Sequence, residues 1–174
     1  IDSSVAMRRL LQGDVGSGKT VVAAAAMLCA AANGLQSAIM APTEILAEQH
    51  YLTITNLLGS ESPEGRDFIH IQIEGTSRTL TLALLTGSMS NKEKKNIQTA
   101  VSLGKVDIVV GTHSLLQEAL NFPKLGLVVV DEQHRFGVMQ RNLLQENDPR
   151  PHLLVMSATP IPRSLYLVLL GDLD

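Results

Sequence analysis

The chain has no tryptophan, a single cysteine, and aromatic residues at only 3% of its 174 positions. A module that stacks single-stranded bases on aromatic rings needs more of them, so that class is excluded. One cysteine cannot close an internal disulfide or supply a Cys/His metal cluster. Cys29 lies in an alanine-rich stretch and reads as a buried, inert thiol. No apolar run approaches the roughly 20 residues that a membrane-spanning helix requires. Positive charge is not in excess either, since 14 Lys and Arg against 17 Asp and Glu give a formal net charge of −3. Strong independent DNA affinity comes from neutralising many phosphates, so any DNA contact by this chain should be weak and directed at the backbone. The run Lys92-Glu93-Lys94-Lys95 could serve as a DNA patch, but a solvated helix face is the commoner outcome of such a run. His50, His70 and His152 read as ordinary polar or core residues.

What the chain does have is a pair of phosphate-chemistry motifs. Gly13-Asp14-Val15-Gly16-Ser17-Gly18-Lys19-Thr20 fits GxxxxGK[ST]. Gly13, Gly16 and Gly18 permit a turn tight enough for successive N–H groups to converge on phosphate oxygens. The helix opening near Gly18 adds the positive end of its dipole. Lys19 can reach the β- and γ-phosphates, and the Thr20 hydroxyl can ligate Mg²⁺. Far downstream, Leu127-Val128-Val129-Val130 reads as a buried strand that ends in Asp131-Glu132-Gln133-His134. Asp131 then sits where α/β sheets place their ligands and would hold Mg²⁺, through water, while Glu132 orients and deprotonates the attacking water. A small-molecule kinase needs no such base, so the acidic pair favours an ATPase. A kinase and a nucleotide-gated scaffold remain the alternatives.

At 45% apolar residues the chain can bury the core of one intracellular domain. Strand-like and helix-like segments alternate along it. Strands are predicted at 10–11, 37–40, 80–85, 106–110, 127–130 and 153–156. Helices are predicted from Val21 to Ala32, ended by Asn33-Gly34, from the N-cap Thr43 to Leu58, from the capping box Ser90-Asn91-Lys92-Glu93 to Leu103, and from Val138 to Gln145. This rhythm implies a mostly parallel, doubly wound α/β sheet flanked by helices. Ser60 to Arg78 breaks it with Ser, Gly, Glu and Pro and reads as a surface insertion, with room for a small hairpin at 69–73.

Short polar residues and glycines gather where these strands end: Pro42-Thr43, Thr86-Gly87-Ser88, Gly111-Thr112-His113 and Ser157-Ala158-Thr159-Pro160. Such groups suit phosphate contacts that read no sequence. Together with LLQGDVGSGKT, APTEILAEQH, LLTGSM, DIVVGTHSLLQ, LGLVVVDEQHRFGVMQR and SATPIPRSL, they resemble the first motor domain of superfamily 2 DNA helicases and translocases. Those segments span nearly the whole chain apart from Ser60 to Arg78. The resemblance implies a RecA-like P-loop NTPase fold. It implies ATP and Mg²⁺ as cofactors, with Lys19 and Thr20 on phosphate and metal, Asp131 on Mg²⁺, Glu132 activating water, and Gln133 and His134 sensing the γ-phosphate. It gives Pro42, Thr43, Gly87 and Thr112 to the DNA backbone, and Ser157 and Thr159 to coupling of hydrolysis with movement. The implied activity is ATP-driven remodelling of branched or duplex DNA in repair and recombination. Motors of the transcription-repair coupling type are the nearest alternative; they usually carry Glu where this chain has Gln133 and Thr where it has Ser157. Nothing in the chain matches a second motor domain, expected to supply an arginine finger, or a DNA-engaging wedge domain. The chain starts with Ile and stops soon after a motif, so it is expected to be a piece of a longer protein of the bacterial cytoplasm and nucleoid.

Overall fold

The computed structural model describes residues 6–59, 68–72, 79–112, 120–131 and 150–158. The predicted helix 138–145 lies outside them. Among the described residues seven strands form one sheet: β1 (Arg8–Gln12), β2 (Gln36–Ala41), β3 (Phe68–Gln72), β4 (Thr79–Leu85), β5 (Ile108–Thr112), β6 (Leu125–Asp131) and β7 (His152–Ser157). Their spatial order is β1-β7-β6-β2-β5-β4-β3. All neighbours are parallel except β3, which runs antiparallel to β4 at the edge. The sheet thus extends into the segment read as an insertion, because Ile69 and Ile71 alternate with exposed polar residues and can bury one face.

Among the described residues three helices flank the sheet: α1 (Lys19–Ala32), α2 (Glu44–Leu57) and α3 (Asn91–Ser102). α1 ends through Asn33 and Gly34, whose φ of +76° is a left-handed conformation that glycine adopts without strain. Thr43 caps α2 by accepting the Leu46 N–H. Ser90 and Glu93 form the reciprocal capping box of α3, and these hydrogen bonds from Ser90 hold the Glu93 carboxyl below the usual glutamate range.

Strand alternation divides the core into two layers. Ile39, Ala41, Ile108, Val110, Leu127, Val129, Leu154 and Met156 face α1 and α2. Ala38, Met40, Val109, Val128, Val130, Leu153 and Val155 face the other side, where Ile97 and Val101 of α3 pack. Each large side chain removed from water in these layers contributes about 1.5–3 kcal/mol. α1 meets the sheet through Ala23, Ala24, Met27, Ala30 and Ala31, all buried. Cys29 lies off that stripe and is exposed, which corrects its reading as a buried thiol. Buried Gln36 ties three segments, donating to the Val101 and Val106 carbonyls and accepting from Lys124 N–H.

Candidate active site

The parallel strands finish level with one another. Gln12 pairs with Ser157, Asp131 with Met156, Met40 with Val130, Ala41 with Thr112 and Leu85 with Gly111. The strand order then sorts the sequence-predicted residues along one edge. The phosphate loop follows β1, Ser157 ends β7 and Asp131 ends β6, so these three occupy adjacent strands. Pro42-Thr43, Thr112 and Gly87 follow or end β2, β5 and β4, on the other half.

The loop holds its shape through local contacts. Gly16 and Gly18 have φ of +83° and +86°, where a side chain would be strained. A Cβ on Gly13 would come within 2.6 Å of Ser17 Oγ. The Gly13 N–H donates to the Ser157 carbonyl at 3.2 Å, which fastens the loop to the end of β7. Lys19 Nζ donates to the carbonyls of Gly13 (2.6 Å) and Asp14 (2.8 Å), so its ammonium is held within the loop. No side chain caps α1, in contrast to α2 and α3. Its dipole acts on the loop itself.

Thr20 and Asp131 meet through His50, which the sequence marks as an ordinary polar or core residue. His50 Nε2 lies 2.6 Å from Asp131 Oδ2, and His50 Nδ1 lies 3.4 Å from Thr20 Oγ1. The imidazole and the carboxylate are both largely shielded, their side chains 11% and 12% exposed. His50 is therefore no ordinary core histidine. Two periodicities place it. The buried face of α2 runs Ala47, His50, Tyr51, Ile54 at helical spacing. Leu127 and Val129 point to the α1/α2 layer, and Asp131 is the next residue of the same parity. Thr20 extends the buried stripe of α1 one turn toward its start. His70 is exposed and lies 3.1 Å from the Thr81 hydroxyl, and buried His152 accepts the Met7 N–H at 2.8 Å; both are structural.

An oxygen pair of this kind suits Mg²⁺, a hard cation that takes one or two protein ligands and completes its shell with water and phosphate. Among the described residues no cluster of three or more His, Cys, Asp or Glu could hold a metal by itself.

On the other half of the edge, Glu44 Oε1 accepts the Ser88 N–H at 3.1 Å and Lys94 Nζ donates to the Gly87 carbonyl at 2.7 Å. A Cβ on Gly87 would lie 2.8 Å from Glu44 Oε1. These contacts join the starts of α2 and α3 to the turn after β4. Thr43 and Gly87 are exposed, and Pro42 and Thr112 are partly so; Ser157 is buried. Glu132, Gln133, His134 and Thr159 lie outside the described residues.

A model of the DEAD/DEAH box helicase family matches residues 4–168. The ATP-dependent DNA helicase RecG of Mycobacterium tuberculosis is 52% identical over 171 residues, covering 97% of this chain and 22% of that protein. RecG of Aquifex aeolicus is 48% identical over 176 residues, covering 100% of the chain and 20% of that protein. A structure of RecG bound to a three-way DNA junction superposes with a TM-score of 0.75 at 45% identity, covering 99% of this chain and 21% of the other. The chain is thus related to RecG, and it spans about a fifth of the length of these relatives.

Proposed function

The chain belongs to the DEAD/DEAH box helicase family, and we propose that it is the first motor domain of an ATP-driven helicase that remodels branched DNA. The observation that carries this reading is the level row of strand ends, with the GxxxxGK[ST] loop, Ser157 and Asp131 on β1, β7 and β6 and Pro42-Thr43, Thr112 and Gly87 on β2, β5 and β4. Family membership sets aside the small-molecule kinase. The identity to RecG over nearly the whole chain also favours that branch over the transcription-repair coupling motors.

Within this reading ATP lies in the Gly13–Thr20 loop, with Asp14, Val15 and Ser17 lining the phosphates, and Lys19 trades its two carbonyl contacts for phosphate oxygens. Thr20 and Asp131 would hold Mg²⁺, whose charge would offset that developing on the phosphates. Glu132 takes the proton of the attacking water, and Gln133 and His134 report on the γ-phosphate. Pro42, Thr43, Gly87 and Thr112 present a backbone-reading surface to branched or duplex DNA, consistent with a chain that carries no excess of positive charge. Ser157 supports a coupling role with Thr159, since its carbonyl holds the first glycine of the loop. The remaining partners are a second motor domain and a DNA-engaging domain of the same parent. The test is steady-state ATP hydrolysis by the full-length protein with and without three-way junction DNA. Turnover should rise on adding the junction and rise less with linear duplex. Hydrolysis indifferent to DNA would overturn the reading.

A further inference from the structure

We propose that His50 is a positioning residue of the magnesium site, holding Thr20 and Asp131 in the orientation that the metal requires. The inference rests on the ATP–Mg²⁺ reading given above. A carboxylate oxygen only accepts, so the short contact assigns the proton to His50 Nε2, which donates to Asp131 Oδ2. In the neutral ring Nδ1 is then an acceptor facing the Thr20 hydroxyl. A hydroxyl that ligates a cation must direct its proton away from the metal and a lone pair toward it. An acceptor on the α2 side of Thr20 gives the proton that place. On Asp131 the same ring satisfies Oδ2 and leaves Oδ1 for the metal or its water. One imidazole therefore sets the rotamers of two side chains that come from different elements, α1 and β6. At 3.4 Å the Thr20 contact is long, and the 2.6 Å contact to Asp131 is the stronger.

Packing alone does not require a histidine here. Its neighbours on the buried face of α2 are Ala47, Tyr51 and Ile54, and a buried imidazole is costly unless its nitrogens are paired. Here both nitrogens face site residues, and among the described residues no other polar contact of the ring is found. Outer partners that orient metal ligands are commonly worth about 10- to 100-fold in metal affinity.

The experiment measures binding of a slowly hydrolysed fluorescent ATP analogue to the full-length protein as a function of Mg²⁺, and again in EDTA. His50→Ala and His50→Phe should raise the Mg²⁺ midpoint about 10- to 100-fold while leaving metal-free affinity unchanged. His50→Gln, whose amide can still donate to Asp131, should fall between them and wild type. His50→Phe keeps the buried volume and carries the test if the alanine variant fails to fold, with thermal melting as the check. Asp131→Ala is the reference for the site itself. If Asp131→Ala raises the midpoint and His50→Phe does not, the positioning role is overturned and the site reading stands. If Asp131→Ala leaves the midpoint where it was, the site reading falls and takes this inference with it.

Discussion

Lys19 sits in a loop of backbone dipoles and spends its ammonium on two carbonyls of that loop, which do not depend on it for their conformation. The turn is maintained by Gly16, Gly18 and the Ser17–Asp14 and Gly13–Ser157 hydrogen bonds, so Lys19→Ala should leave the fold intact. It removes the charge that stabilises transferring phosphate, and ATP turnover of the parent should fall by about 10² or more. Wild-type turnover with a normal melting temperature would show that catalysis lies elsewhere. Glu132→Gln separates the base from the metal site. The amide keeps the shape beside Asp131 but cannot take a proton, so nucleotide binding should persist while hydrolysis drops by about 10² or more. Joint loss of binding and turnover would make Glu132 a metal-site residue instead. At this scale the phosphate loop and Asp131 were legible because each is a fixed local pattern. His50 was not, since its partners are 30 and 81 positions away in the chain. The signal was nevertheless present: the spacing Ala47-His50-Tyr51-Ile54 and the parity Leu127-Val129-Asp131 put both side chains in one layer.

Elements with strong end signals fell where the sequence placed them. The Thr43 cap, the Ser90–Glu93 box and the Asn33-Gly34 exit are local hydrogen-bonding devices, and each is found at its predicted position. Strand ends are set by neighbours, not by local chemistry. β5 accordingly starts at Ile108 and continues through Gly111 and Thr112, two residues beyond its apolar run, because β2 and β4 offer partners there. The edge strand β3 depends on β4 in the same way. Gly126 illustrates what such packing demands. A Cβ at this position of β6 would sit 2.6 Å from Leu35 Cδ1 and 2.7 Å from Leu35 Cβ. Leu35 cannot withdraw its Cβ without moving the backbone between α1 and β2, so Gly126→Ala should destabilise the domain by about 1–3 kcal/mol. Chemical denaturation of the variant measures this, with the Mg²⁺-nucleotide midpoint unchanged by comparison. An unaltered denaturation midpoint would mean that the α1–β2 connection yields more readily than its contacts suggest.

One sheet edge carries the phosphate loop openly. Asp14, Val15, Gly16 and Ser17 are exposed, Val15 at 90%. In the proposed reading the second motor domain closes over them. In related phosphoryl-transfer sites an arginine supplied across the cleft contributes about 10³–10⁵ in rate. In the proposed reading unwinding adds a second demand, because two bodies must change their separation as nucleotide turns over, and this sheet is a single layer with continuous pairing from β1 to β3. The 174 residues alone should therefore bind Mg²⁺-nucleotide weakly, hydrolyse it barely above background and separate no DNA strands. Adding the remainder of the parent, joined in one chain, should restore turnover that rises with junction DNA. The measurement is steady-state ATPase and strand separation for both proteins at equal site concentration. DNA-stimulated turnover by the 174 residues alone would mean that the exposed loop is sufficient for catalysis and that no second domain completes the site.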